Sequence, residues 1–405
     1  MNPEGAEETE TDAPDAERRF VGRGDEAGTA PGDRSWRPDV EGLRAIAVLV
    51  VVGVHYGVPG FGGGFVGVDV FFVISGFVIT GLLLRENRST GTTSLLSFYA
   101  RRFRRILPAA TVVILVTVLA TYVLVGPRFG TRTAEDGIWA AAFAFNFQHF
   151  YPGWNSIPSL GNFWSLAVEE QFYFVFPAFF LAVSSFRGGA GFRVRLAVGL
   201  SAVTVASYAL SITQTRTDQV GAFLSPFTRA WELAVGALVA VATPHLLRIH
   251  SRVAAALTWI GLATIGYSVV AIGAFTDDYP GWRAVVPVTG AALIIIGGTP
   301  VPRFGAERLI GTTPFRWLGK RSYSLYLWHW PVLIVASEWA YSPDVWRLRV
   351  PAFVVSVLLT MLTYKFIENP IRHRVLPAAQ TVRLGLAATG ATILVLVALI
   401  VLHSG

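Results

Sequence analysis

The chain has 405 residues, of which 53% are hydrophobic and only 15% are charged. Soluble proteins of ordinary composition carry about 25% charged residues, so these values exclude a soluble enzyme and an intrinsically disordered protein. The absence of cysteine excludes disulfides, thiolate nucleophiles and cysteine-based metal sites. The net charge of +7 at pH 7 could reflect nucleic-acid binding or a membrane surface, and the positions of the basic residues decide between them.

The first 33 residues are acidic and rich in Gly, Pro and Ala, which predicts a disordered cytoplasmic tail. Eleven apolar runs, each long enough to cross a bilayer, follow this tail. They lie at about 42–58, 64–84, 106–125, 163–183, 196–212, 223–242, 253–275, 282–298, 322–339, 346–367 and 384–402. These runs predict an all-α polytopic integral membrane protein.

A further apolar stretch at 137–151 is short and contains Asn146, Gln148 and His149. If it does not cross the membrane and the N-terminus is cytoplasmic, the inner loops hold 19 Lys and Arg residues and the outer loops hold 6. A spanning 137–151 would reverse every later loop and oppose the positive-inside rule. We therefore expect a helix on or dipping into the outer face, a multi-pass plasma (inner) membrane protein, and an extracytoplasmic C-terminus. The basic charge then reflects topology, with no nucleic-acid partner expected.

Charged side chains inside a bilayer need partners or a cavity. In the first span, Arg44 and His55 are eleven residues apart, so they share one helix face and lie about 16 Å apart along it. In the second span, Asp69 is expected at a depth near that of His55, and Gly76 permits close helix approach. Two interpretations stay open: a structural Asp–His hydrogen bond, or a catalytic base with its orienting carboxylate.

Four arginines, Arg101, Arg102, Arg104 and Arg105, lie at the inner mouth of the third span. Guanidinium groups at a helix N-terminus bind phosphate well, because bidentate donors combine with the positive end of the helix dipole. This cluster therefore suits a phosphate-rich cytoplasmic ligand. Ordinary positive-inside anchoring is the alternative.

The fourth span presents Ser165, Glu169 and Tyr173 on one face, while Glu170 points about 100° away. A carboxylate at this depth could orient His55 or accept a substrate proton. A hydrogen-bond network between helices would explain the same residues.

The segment from 318 to 332 presents Ser322, Tyr326 and His329 on one face, with aromatic helix packing as the alternative interpretation. Arg229 and Glu232 are three residues apart and predict a neutralising ion pair. The sequence contains no metal-ligand spacing, no Walker loop and no GxSxG serine, so no metal is expected. A transporter, with these charges lining a permeation path, and a non-catalytic membrane scaffold are the competing functional hypotheses.

These motifs together resemble the membrane-bound acyltransferase-3 family of the O-antigen and peptidoglycan O-acetylase type, over roughly residues 37–375. The resemblance is carried by Arg44-x10-His55, GVDVFFVISGF at 67–77, FYARRFRRILP at 98–108, WSLAVEEQFY at 164–173, RAWE at 229–232, SYSLYLWH at 322–329 and ENPIR at 368–372. It implies ten core helices and transfer of an acyl group, usually acetyl from acetyl-CoA, to a hydroxyl of a carbohydrate, lipid-linked sugar or secondary metabolite. No permanently bound cofactor is expected.

The resemblance and the residue pattern together predict roles for individual residues. His55 is expected to be the catalytic histidine, acting on the acceptor hydroxyl, with Asp69 or Glu169 holding its tautomer; an acyl-histidine mechanism stays open. The donor-binding residues expected are Arg44, Arg101, Arg102 and Arg105. Acceptor-binding or supporting roles are expected for Ser75, Tyr173, Tyr326 and His329.

The chain is expected to have an acyltransferase domain at 34–375 and an extra transmembrane helix at 376–405. In many longer relatives an eleventh helix leads to an extracytoplasmic SGNH hydrolase-like domain. Because this chain has the helix without that domain, a separate extracytoplasmic partner protein is expected as one arrangement.

Overall fold

The fold is taken from a computed structural model, which describes residues 37–150, 158–185, 191–273, 278–340 and 346–403. Each apolar run predicted to cross the membrane coincides with a helix, and no strand occurs in these ranges. The all-α membrane fold is therefore confirmed. The tail predicted for residues 1–33 lies outside the described residues.

The helices of the N-terminal half are α1 Pro38–His55, α2 Gly67–Thr90, α3 Leu95–Ala120, α4 Pro127–Ala141, α5 Phe163–Ser185, α6 Phe192–Thr217, α7 Gln219–Leu224 and α8 Pro226–Leu246. The C-terminal half contains α9 Ser251–Ala271, α10 Val285–Gly298, α11 Glu307–Ile310, α12 Thr313–Ala340, α13 Trp346–Thr363, α14 Asn369–Arg372 and α15 Ala378–His403. One π-helical segment, Thr121–Val125, extends α3, and another, Tyr364–Glu368, connects α13 to α14.

Within the described ranges, eight helices are long and apolar enough to cross a membrane. Helices α1, α10 and α12 fall outside that group: α1 contains Asp39, Glu41 and Arg44, α10 has only 14 residues, and α12 is rich in polar and aromatic residues. Helix α4 is not among the eight either, since its 15 residues span only about 22 Å. The predicted non-spanning stretch 137–151 begins in its last turns and continues through the 3₁₀ turn Phe145–Phe150. Its place on the outer face stays a prediction.

Glycines set the close helix contacts that position the polar residues. A Cβ atom on Gly76 of α2 would lie 1.8 Å from the carbonyl oxygen of Leu233 in α8, which confirms the predicted close approach at Gly76. A Cβ atom on Gly319 of α12 would lie 1.9 Å from the carbonyl oxygen of Glu41 in α1. The two helices that carry the predicted histidines, α1 and α12, therefore pack backbone to backbone.

The topology is tested with a reporter fused after Gly405. We expect an alkaline phosphatase fusion to be active and a green fluorescent protein fusion to be dark, because the distribution of loop charges predicts an outside location for this end. Fusions in the loop between α9 and α10 should also report outside, and fusions near Arg316 should report inside. A cytoplasmic signal after Gly405 would instead mean that 137–151 crosses the membrane.

Candidate active site

Two imidazoles meet where α1 ends. The Nδ1 atom of His55 lies 3.0 Å from the Nε2 atom of His329, with the rings stacked at 5.2 Å between centroids. His329 is fully buried, and its Nδ1 atom lies 2.7 Å from the carbonyl oxygen of Tyr326. His55 is partly exposed and has the ring of Trp330 at 4.6 Å between centroids. The α12 face predicted to carry His329 is thus the face that meets α1.

The expected partner of His55 is corrected by the structure. Asp69 is bonded elsewhere: Arg229 donates to its Oδ1 at 3.1 Å and Tyr279 to its Oδ2 at 2.5 Å. Glu169 accepts a hydrogen bond from Ser75 at 2.5 Å and a second one from Tyr173. Both carboxylates are therefore held by donors of their own, and His329 bonds to His55 instead.

A cavity of about 60 Å³ lies near this pair, with Tyr326, but neither histidine, among its lining residues. Its polar lining comes from α1, α2, α3, α5 and α12. These residues are Arg44, Ser75, Arg102, Arg105, Ser165, Glu169, Glu170, Tyr173, Ser322, Tyr323 and Tyr326. A larger chamber of about 340 Å³ adjoins it, and both cavities are lined by Arg102, Glu170 and Tyr173.

Tyr326 lies between the cavity and the imidazole pair. Its hydroxyl is 2.5 Å from the hydroxyl of Ser165, and its carbonyl oxygen accepts the hydrogen bond from His329. Farther along the cavity, the guanidinium of Arg44 donates to the hydroxyl of Ser322 at 3.1 and 3.2 Å. The Ser322, Tyr326 and His329 face predicted from spacing therefore joins the cavity to His55.

The structure divides the arginine cluster of α3. Arg102 and Arg105 line the cavity, and the Arg102 guanidinium lies 4.4 Å from the centroid of the Tyr173 ring. Arg101 does not line the cavity and is bonded to Glu86 at 2.6 Å, which argues against the donor-binding role expected for it. Arg104 donates toward the carbonyl oxygen of Leu376 at 3.3 Å, next to α15.

Arg229 is the centre of a second polar group, which we call the Arg229 cluster: Asp69, Arg229, Glu232 and Tyr279. The predicted ion pair between Arg229 and Glu232 is confirmed, with Nη1 and Oε1 2.9 Å apart. The three charged side chains are fully buried. The sequence predicted neither the bond to Asp69 nor Tyr279, since Tyr279 lies in a connecting segment without a motif.

Spacing also missed Glu170 and Tyr323 as cavity residues. Glu170 was expected to point away from Glu169. Both line the cavity, because the cavity extends along more than one face of α5. The Oε1 atom of Glu170 is buried without a hydrogen-bond partner in the described residues. Within those same ranges, no group of three His, Asp or Glu side chains could hold a metal ion.

Comparison with known proteins identifies the family. The sequence profile described as "Acyltransferase domain", of the acyltransferase-3 type, matches residues 37–365. The chain belongs to this acyltransferase family. The match covers the imidazole pair, the arginine-lined cavity and the Arg229 cluster, so these residues lie inside the shared domain.

Two relatives show how far the similarity extends. The peptidoglycan O-acetyltransferase OatA of Listeria monocytogenes is 31% identical over 356 residues, which cover 84% of this chain and 56% of that protein. The O-acetyltransferase OatA of Staphylococcus aureus strain NCTC 8325 is 31% identical over 355 residues, covering 83% and 57% respectively. The chain thus spans a little over half the length of these curated relatives. No solved structure matches the chain significantly.

Proposed function

We propose that this protein is an integral-membrane O-acyltransferase that moves an acyl group, acetyl in the first instance, from acyl-CoA to a hydroxyl of an envelope glycan. The observation that carries the proposal is the link, through Tyr326, between the arginine-lined cavity and the imidazole pair. A cavity lined by arginines reaches Tyr326, and the carbonyl oxygen of Tyr326 holds the histidine that is bonded to His55.

Coenzyme A carries several phosphate groups, so its binding site needs cationic donors. Arg44, Arg102 and Arg105 supply three guanidinium groups to one cavity. Among the described residues, Arg105 makes no hydrogen bond or ion pair, and its donors are therefore available to a ligand. Guanidinium groups bind phosphate through paired, charge-assisted hydrogen bonds. We assign these three residues to the donor, which enters from the cytoplasm.

One histidine is enough for the proposed acyl transfer, since it first accepts a proton and then gives it back. The acceptor hydroxyl gives its proton to Nε2 of His55 while its oxygen attacks the thioester carbonyl. The tetrahedral intermediate collapses, the C–S bond breaks, and the imidazolium returns the proton to the departing CoA thiolate. The hydroxyls of Ser165 and Tyr326, which line the cavity, are the donors we propose for stabilising the oxyanion.

The acceptor is proposed from the relatives. The Listeria relative is named for O-acetylation of peptidoglycan. We therefore propose a peptidoglycan hydroxyl as the first acceptor to test. A lipid-linked sugar or a secondary metabolite would use the same chemistry and is detected by the same experiment.

The function is tested with the full-length protein in liposomes supplied with [¹⁴C]acetyl-CoA and peptidoglycan fragments. We expect label in the glycan as an alkali-labile ester, with stoichiometric release of CoA. Mass spectrometry of envelope glycans, lipids and secreted metabolites from a deletion strain should show a lost acyl group. Substrate flux into the vesicles without any CoA-dependent product would support a transporter and contradict the proposal.

Arg105 and Arg101 form a matched pair for testing the donor site, because they lie one turn apart on α3. Arg105→Ala is expected to raise the KM for acyl-CoA about 10- to 100-fold, since hydrogen bonds to charged groups contribute about 1.5–3 kcal/mol. Arg101→Ala removes only a half-exposed ion pair with Glu86 and should change KM less than about twofold. Steady-state kinetics with varied acyl-CoA measure both. Equal effects of the two substitutions would remove Arg105 from the donor site.

A further inference from the structure

His329 contacts His55 through a hydrogen bond that has one possible direction when both rings are neutral. We infer that His329 is a positioning residue that fixes the tautomer of His55 and leaves the lone pair of its Nε2 atom free for the acceptor hydroxyl. This inference rests on the proposed function and adds to it the residue that makes His55 a base.

The direction of the hydrogen bond between the two histidines follows from the carbonyl groups that face Nδ1 of His329. Nδ1 of His329 lies 2.7 Å from the carbonyl oxygen of Tyr326 and 3.2 Å from that of Leu325. Carbonyl oxygens only accept, so Nδ1 of His329 carries the proton. A neutral imidazole has one N–H group, and Nε2 of His329 is therefore an acceptor. Across the 3.0 Å contact, Nδ1 of His55 must donate, which leaves Nε2 of His55 without a proton.

The position of the His329 ring is fixed by its surroundings. His329 is fully buried, and Tyr56 donates to its backbone carbonyl oxygen at 2.9 Å. Because proline has no N–H group, Pro331 cannot donate the helical hydrogen bond to the carbonyl oxygen of Leu327. Asn162 supplies an amide donor there, at 2.7 Å from the Tyr326 oxygen and 3.4 Å from the Leu327 oxygen. The carbonyl that orients His329 is thus itself held in place.

An imidazole is also the less costly orienting group at this depth. A buried carboxylate requires a compensating cation, as Asp69 requires Arg229 in the Arg229 cluster. A neutral imidazole orients His55 without adding a charge to the bilayer region. When His55 takes the hydroxyl proton, its Nδ1–H bond to His329 remains in place, so the base stays aligned through the step.

Kinetics of two His329 variants distinguish positioning from packing. His329→Leu is expected to lower kcat roughly 10- to 100-fold, with the KM for acyl-CoA within about twofold of the original. His329→Gln should recover most of kcat, because its amide oxygen can accept from His55 while its NH₂ group donates to the carbonyl of Tyr326. His403→Leu is the matched control, since His403 also bonds a carbonyl of its own helix, at 2.9 Å, and is exposed. Unchanged kcat in His329→Leu, or equal loss in the Leu and Gln variants, would overturn the inference.

The tautomer is measured independently of activity. The full-length protein, labelled with ¹⁵N-histidine and reconstituted in nanodiscs, should show a His55 resonance pair with a protonated Nδ1, assigned by its loss in His55→Gln. In His329→Leu the same residue should shift toward the Nε2–H tautomer. A protonated Nε2 in the unsubstituted protein would overturn the inference. Absence of acyl transfer by the unsubstituted protein would instead overturn the proposed function and leave the tautomer assignment standing.

Discussion

Replacing His55 with Ala is expected to reduce acyl transfer by roughly 10³-fold or more, because removal of a general base costs about 10² to 10⁴ and the partner His329 cannot replace it. His55 is the last residue of α1 and partly exposed, so its loss should leave membrane insertion and folding intact. Initial rates of CoA release and of ester formation measure the effect. Detergent extraction followed by size-exclusion chromatography checks the fold.

The control for this experiment is His403→Ala, which removes an exposed imidazole from the last residue of α15. We expect its rate to equal that of the unsubstituted protein. His55→Gln adds a variant that keeps a polar side chain of similar size and should be as inactive as His55→Ala. Substantial activity in both His55 variants, with normal folding, would exclude His55 from the chemical step.

The fold could be predicted because the lipid bilayer constrains composition directly. A spanning helix needs an apolar run of fixed length, and each such run became a helix. The helix faces were also predictable, because the spacing of Ser322, Tyr326 and His329 places them on one side of a helix. The observed contacts of Ser322 with Arg44 and of His329 with His55 use that face.

The partner of His55 could not be predicted from spacing. Asp69 is only fourteen residues from His55 in the sequence, and a short Gly-rich turn connects their helices. The sequence therefore favours Asp69 as the partner of His55. The actual partner, His329, is 274 residues away. Which distant helix packs against α1 depends on contacts such as Gly319 against Glu41, which a single sequence does not reveal.

The arginine cluster shows a second limit. Arg101, Arg102, Arg104 and Arg105 look equivalent in the sequence, and helical geometry separates only their directions. Their neighbours determine their contacts. Arg101 forms an ion pair with Glu86, Arg104 donates to a carbonyl oxygen in the segment before α15, and Arg102 and Arg105 line the cavity. Those neighbours lie on other helices, so the distinction requires the tertiary structure.

Removing the cation of the Arg229 cluster is expected to be strongly destabilising. Arg229→Met should lower the free energy of unfolding by about 3–5 kcal/mol, because it leaves Asp69 and Glu232 buried without a compensating charge. Arg283→Met is the matched control: Arg283 and Asp278 form a partly exposed pair at 3.6 Å, whose loss should cost less than about 1 kcal/mol. Thermal unfolding of the two purified variants in the same detergent measures the difference. Equal midpoints would mean that the buried ion pairs contribute little to stability.

The triple substitution Asp69→Asn, Arg229→Met and Glu232→Gln then separates a structural role of Asp69 from a chemical one. With no buried charge left, most of the lost stability should return, since replacing an entire buried ionic group is often close to neutral. Because Asp69 is bonded to Arg229 and Tyr279 and His329 is the partner of His55, the triple variant should also retain a kcat near that of the unsubstituted protein. A triple variant that folds but is inactive would mean that Asp69 takes part in catalysis. A triple variant that folds and is active would mean that the buried charges of the Arg229 cluster serve only to hold α2 against α8.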